Sequence, residues 1–243
     1  VTVATRDSSQ GTDTQNYVYV LEGARNCDCI PDGFEPAFAA LARIFAMVST
    51  SDAIFFGVIS AIQVFAAVKL GWSIAALMDY QEKSAAYVLI FIALLVVFPF
   101  FVAMQINVLR QGVGAFLVAL AAIEIYRRHY WRAIALIALG AGFHYSTLMY
   151  AAAMPLLLVK PTVRRIVFIG VLLMYVSGAP EQVIRAISDI SGAPLYSTVA
   201  NYGSTVEYRI GVRYDFVVFS LLPLGLTYLL YYFFPNPVSH HRM

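Results

Sequence analysis

Three stretches of this chain are apolar over the length of a bilayer. DAIFFGVISAIQVFAAVKL at residues 52–70, AAYVLIFIALLVVFPFFVA at 85–103 and DFVVFSLLPLGLTYLLYYFF at 215–234 each approach the roughly 20 helical residues that cross a hydrocarbon core. Backbone groups in lipid must be bonded within the segment, so such runs form helices. The rest of the composition agrees: 60% of the 243 residues are hydrophobic, 12% are charged, and mean hydropathy is +0.74. That leaves too little polar surface for a water-soluble globule. The expected fold class is all-α, a polytopic integral membrane protein forming a single transmembrane domain over residues 1–243. A net charge of +2, carried by scattered cations, does not suggest nucleic acid as a partner.

Shorter apolar segments complete the set. Residues 112–126 and 164–179 are candidate spans, and 133–159 is apolar throughout but interrupted by Gly140, Gly142 and His144. Pro99 predicts a kink near the end of its run. Residues 34–48, FEPAFAALARIFAMV, are too short to cross, which predicts an interfacial or re-entrant helix. The chain opens on Val1, and residues 1–33 hold no charged-then-apolar leader, so the expectation is a fragment lacking N- and C-terminal helices. Cys27 and Cys29 in NCDC leave thiols and a strained disulfide both open, and two ligands do not make a zinc site.

Orientation follows from lysine and arginine in short loops, which stay on the cytoplasmic side. YRRHYWR at 126–132 and KPTVRR at 160–165 are both rich in them. One crossing at 133–159 would put one of these loops outside, whereas two half-length helices meeting near His144 keep both inside. The broken hairpin is the preferred reading. It places the loop with Lys69 and Lys83 inside, and Asn107, Arg110 and Gln111 on the outer side. The segment before residue 34 and a long extracytoplasmic loop at 180–213 join them there. A single tilted helix is the alternative.

The polar residues inside or beside these runs are the functional candidates, because charge at membrane depth costs about 2.5–3.5 kcal/mol and usually lines a cavity. On a helix beginning near Asn107, Asn107, Arg110 and Gln111 share one face. An arginine fork suits phosphate oxygens, although a snorkelling arginine looks the same in sequence. His144, between Phe143 and Tyr145, is a candidate base, or a structural histidine bonded to Ser146 or Thr147. Glu207, Arg209, Arg213 and Asp215 precede the last span as either a phosphate clamp or an interfacial ion network. Arg6, Asp13 and Glu35 complete the set, with Glu35 doubling as an ordinary helix-dipole partner. No HExxH, CxxC, Walker A or GxSxG pattern occurs.

Taken in order, Arg6 with GTDTQNY, then GFEPAFAAL, NVLRQGVGAF, GFHYSTLMY and GVRYDFVVFSLLPL resemble the EpsG family of bacterial polysaccharide polymerases, related in function to the Wzy-type O-antigen polymerases. The resemblance runs from residue 6 to about residue 225. It implies a multi-pass protein of the bacterial cytoplasmic membrane, acting on oligosaccharide repeat units carried by undecaprenyl pyrophosphate at the outer face. A chain-length regulator protein is a candidate partner beside the lipid bilayer. The implied reaction is glycosyl transfer without a cofactor, and without a metal where arginines carry the positive charge. Arg110 and Arg213, with Arg6, Gln111 and Asn107, are the expected pyrophosphate ligands, supported by Asp215 and Arg209. His144 is the first choice of base, with Glu35 and Asp13 as competitors. A membrane O-acyltransferase and a flippase or transporter of lipid-linked sugars are the rivals from other classes.

Overall fold

The computed structural model describes residues 13–27, 34–77, 84–106 and 108–191, together with Leu221. Every regular element among them is helical. The chain divides into two compact units, Val1–Val159 and Lys160–Met243.

The first unit holds eight described α-helices: α1 (Thr14–Asn26), α2 (Pro36–Val48), α3 (Asp52–Leu77), α4 (Ser84–Val97), α5 (Pro99–Ile106), α6 (Leu109–Tyr126), α7 (Tyr130–Phe143) and α8 (Thr147–Ala153), the last running into a 3₁₀ turn, Met154–Leu158. Among the described residues, only α3 and α6 are long and apolar enough to cross a membrane. α3 outruns the expected span because LGWSIAAL continues the apolar run, so Lys69 lies on an exposed position of the helix and not in a loop; Lys83 lies outside the described residues. At Pro99 the helix breaks into α4 and α5. Proline has no N–H to give the Leu95 carbonyl, and the Phe98 N–H takes that carbonyl instead at 3.0 Å.

The segment at 133–159 is interrupted where expected. His144 is extended (φ −160°, ψ 121°) at the end of α7, and α8 starts three residues later. The chain also reverses there. Thr147 abuts Gly114 near the start of α6, whereas Met154 packs with Val118, Ala121 and Ala133, further along α6 and back at the start of α7. α8 therefore runs alongside α6 and antiparallel to α7, which is the hairpin reading. Gly114 makes the reversal possible: a Cβ there would lie 2.2 Å from Thr147 Cγ2 and 3.2 Å from the Gly140 carbonyl oxygen.

The main core joins α1, α2, α3, α6 and α7. Tyr17, Phe38, Phe55, Phe56 and Phe143 meet in tilted and edge-on ring contacts or close packing with Leu109 and Val113. Lipid is as apolar as these side chains, so their interlocking shapes hold the helices together more than exclusion from the bilayer does. The outward faces are apolar as well: Leu89, Ile90, Leu94 and Val97 of α4 are all exposed, the inverse of a soluble helix.

In the second unit, α9 (Pro161–Val176) is followed by α10 (Ala179–Ser191). α10 makes the first part of the 180–213 stretch helical as far as Ser191. Pro180 sits in the first turn, where its missing N–H costs nothing, and Val183, Ala186, Ile187 and Ile190 recur at helical spacing between polar residues. The remainder of that stretch and the span at 215–234, Leu221 apart, lie outside the described residues.

Candidate functional site

The site forms where α1, α2, α6 and α7 converge, around the carboxylate of Glu35. That residue precedes Pro36, which biases it to extended backbone (φ −69°, ψ 148°) and starts α2. Its side chain does not cap α2 and is turned to other helices instead. Glu35 Oε2 accepts from Arg110 Nη1 of α6. Glu35 Oε1 pairs with His144 Nδ1 at 2.7 Å and accepts the Tyr145 backbone N–H at 3.2 Å. Glu35 is 3% exposed, while the side chains of Arg110 and His144 are 18% and 28% exposed. A carboxylate so deeply buried is tolerated because it is paired and hydrogen-bonded.

Arg110 is also enclosed by rings. Its guanidinium carbon lies 4.6 Å from the Phe34 ring centre, 5.4 Å from Phe38 and 5.7 Å from Tyr17, within cation–π range. Its Nε is buried and has no hydrogen-bond partner among the described residues. His144 is held by its backbone too. Its N–H bonds the Gly140 carbonyl, and its own carbonyl accepts both the N–H and the hydroxyl of Thr147. Thr147 therefore holds the main chain of His144, the ring goes to Glu35, and the buried hydroxyl of Ser146 has no partner among the described residues.

Asp13 stands at the start of α1 and joins the cluster through Tyr17. Burial pushes its carboxyl up from 3.8, opposed by the charges of Arg110 and His144 and by a hydrogen bond from Tyr17. Burial, followed by the charge of Asp13, pushes the Tyr17 hydroxyl up to about 12, so it stays a donor at any physiological pH. The structure thus gathers Asp13, Glu35, Arg110 and His144, four candidates separated by as many as 131 positions in sequence, about one point.

Gln111 takes a different direction. Its amide faces the Tyr150 hydroxyl at 3.4 Å. α6 begins at Leu109 with Val108 as its cap, and Arg110 and Gln111 in its first turn engage different neighbours. Adjacent residues point about a quarter-turn apart. Asn107, Arg6, Arg209, Arg213 and Asp215 lie outside the described residues, as does Cys29; Cys27 is disulfide-bonded. Among the described residues no three His, Cys, Asp or Glu side chains are grouped to hold a metal ion.

Sequence reasoning missed the rings around Arg110, although Asp13 and Tyr17 stand four apart at a helix start. It also missed Gln63, the one amide within the apolar run of α3, which is fully buried.

The arrangement can orient a base. A carboxylate bonded to Nδ1 settles the imidazole tautomer and turns Nε2 toward a substrate proton, as in a Ser-His-Asp triad. No curated protein and no solved structure matches the chain significantly. The family model described as EpsG family matches residues 1–242. Together with the apolar helices, that match makes this a membrane protein of polysaccharide biosynthesis, and the chain belongs to the EpsG family.

Proposed function

We propose that this protein is a polysaccharide polymerase that transfers oligosaccharide repeat units, linked to undecaprenyl pyrophosphate, onto a growing chain at the outer face of the bacterial cytoplasmic membrane. In the reaction a sugar hydroxyl of one lipid-linked unit attacks the anomeric carbon of the chain held on another. The bond from that carbon to the diphosphate oxygen breaks, its electron pair leaves with the lipid diphosphate, and the hydroxyl proton passes to a base.

The observation that carries this reading is the shared carboxylate of Glu35, with Arg110 on one oxygen and His144 on the other. His144 Nε2 is the proton acceptor, and Glu35 holds the ring through Nδ1. Glu35 already receives three hydrogen bonds, which makes it a positioning residue and not the base. Arg110 supplies fixed positive charge near the leaving diphosphate, in a place where the surrounding rings keep water away. Arg213, Arg6, Gln111 and Asn107 are further diphosphate ligands in this proposal, with Asp215 and Arg209 in support. Asp13 shares the cluster's proton inventory through Tyr17.

Chain-length analysis of surface polysaccharide tests the reading, on Arg110→Ala, Arg213→Ala and His144→Ala with protein abundance checked. Single repeat units in place of long chains are expected. Unchanged chain length with reduced protein abundance would make these residues structural. Loss of even single units from the surface would make the protein a transporter.

A further inference from the structure

Two glutamines lie buried away from the Glu35 cluster: Gln63, 0% exposed near the middle of α3, and Gln105, 7% exposed on α5. An amide in an apolar helix at membrane depth is retained only where it is bonded. Gln63 Nε2 donates to the Leu109 carbonyl at 2.8 Å and to the Met104 carbonyl at 3.3 Å, and Gln63 Oε1 accepts from Gln105 Nε2 at 2.7 Å. Both carbonyls flank the break between α5 and α6. There the Val108 N–H has slipped to the Ala103 carbonyl, leaving that of Met104 without its helical partner. Gly112 makes room for this contact, since a Cβ would stand 2.8 Å from Gln63 Nε2 and 3.0 Å from Met104 Cβ.

Leu109 immediately precedes Arg110. The amide that holds the Leu109 carbonyl therefore fixes the height and rotation of the first turn of α6, and with it the point from which the guanidinium reaches Glu35. Satisfying a broken backbone could have been left to any hydroxyl or water; here it is done by a side chain of α3, braced by a second glutamine. We propose that Gln63, braced by Gln105, is a positioning residue for Arg110: it clamps the start of α6 so that the guanidinium meets the Glu35 carboxylate in register with His144. This rests on the polymerase reading above.

The test is a double-mutant cycle on the full chain in cells, read as surface polysaccharide chain length per unit of membrane-inserted protein. Gln63→Met keeps the side chain's length and removes its donors. It is expected to cut polymerisation by on the order of tenfold to a hundredfold, the effect of displacing a reacting group by about 1 Å. Gln105→Leu, which leaves both carbonyl bonds of Gln63 in place, is expected to cost less. In the Arg110→Lys background, which keeps a cation and so leaves polymerisation to be read, Gln63→Met is expected to cost less than it does in the parent, because it acts through the missing guanidinium. An undiminished second loss there, or a Gln63→Met protein that is well inserted and fully active, overturns the proposal. If Arg110→Ala itself leaves chain length unchanged, the polymerase reading fails first, and hydrogen exchange still judges the clamp. Amides of residues 109–113 should exchange faster in Gln63→Met than in the parent, and equal exchange overturns it.

Discussion

At the residue scale, the chemistry turns on one buried carboxylate. Removing it leaves Arg110 charged, 18% exposed and surrounded by rings. Glu35→Ala is expected to lower stability by about 3–5 kcal/mol, the usual cost of stranding one partner of a buried pair. Thermal unfolding in detergent measures this, and Glu35→Ala/Arg110→Ala should recover part of the loss. Asp13 makes a pH prediction. Its folded-state pKa is raised, so the native protein binds the proton more tightly than the unfolded chain does. Stability then falls as pH rises from 3.8 through the higher native value, where burial penalises the ionised carboxyl. Asp13→Asn removes this dependence: the variant should gain on the parent as pH climbs from about 4 toward neutrality, as unfolding temperatures across that range would show. A parent that gains on the variant would mean that Arg110 and His144 outweigh burial.

At the element scale, the broken hairpin depends on close approaches that only glycine permits. Gly114→Ala puts a methyl into buried Thr147 and against the Gly140 carbonyl, and overpacking of this kind costs about 1–3 kcal/mol. Because Thr147 holds the carbonyl of His144, activity should fall more than abundance does, which immunoblotting beside chain-length analysis would separate. Gly142 places α7 against α2. A Cβ there would lie 2.9 Å from that of Ala37, two residues from Glu35 on one side of the contact and two from His144 on the other. Gly142→Ala is expected to lengthen the bond between Glu35 and His144 and to lower polymerisation without abolishing insertion.

At the scale of the whole molecule, the hairpin and the arginine-rich stretch at 126–132, which runs into the start of α7, make a topological prediction. Trp131 and Tyr145 are both well exposed, at 84% and 57%, and stand at opposite ends of α7. In intact cells Tyr145→Cys is expected to react with an impermeant thiol reagent, and Trp131→Cys only after the membrane is opened. The reverse pattern would place the Glu35 cluster on the cytoplasmic side, away from the substrate proposed for it.

Much of this was legible in order along the chain. Apolar runs announced α2 through α9 and their places, though not α1 in the polar opening segment, Pro99 and His144 marked where two of them break, and the unusual polar residues singled out Asp13, Glu35, Arg110 and His144, because lipid tolerates such groups only with partners. Periodicity also carried α10, but reading polarity as loop hid it. The choice of partners was not legible. Whether Arg110 snorkels or pairs, whether the ring of His144 meets Thr147 or Glu35, and which rings enclose the guanidinium all depend on contacts between residues 75 to 110 positions apart. Those contacts are decided by how α2, α6 and α7 pack at Gly142 and Gly114, a matter of surface shape in three dimensions that no local pattern of residues encodes.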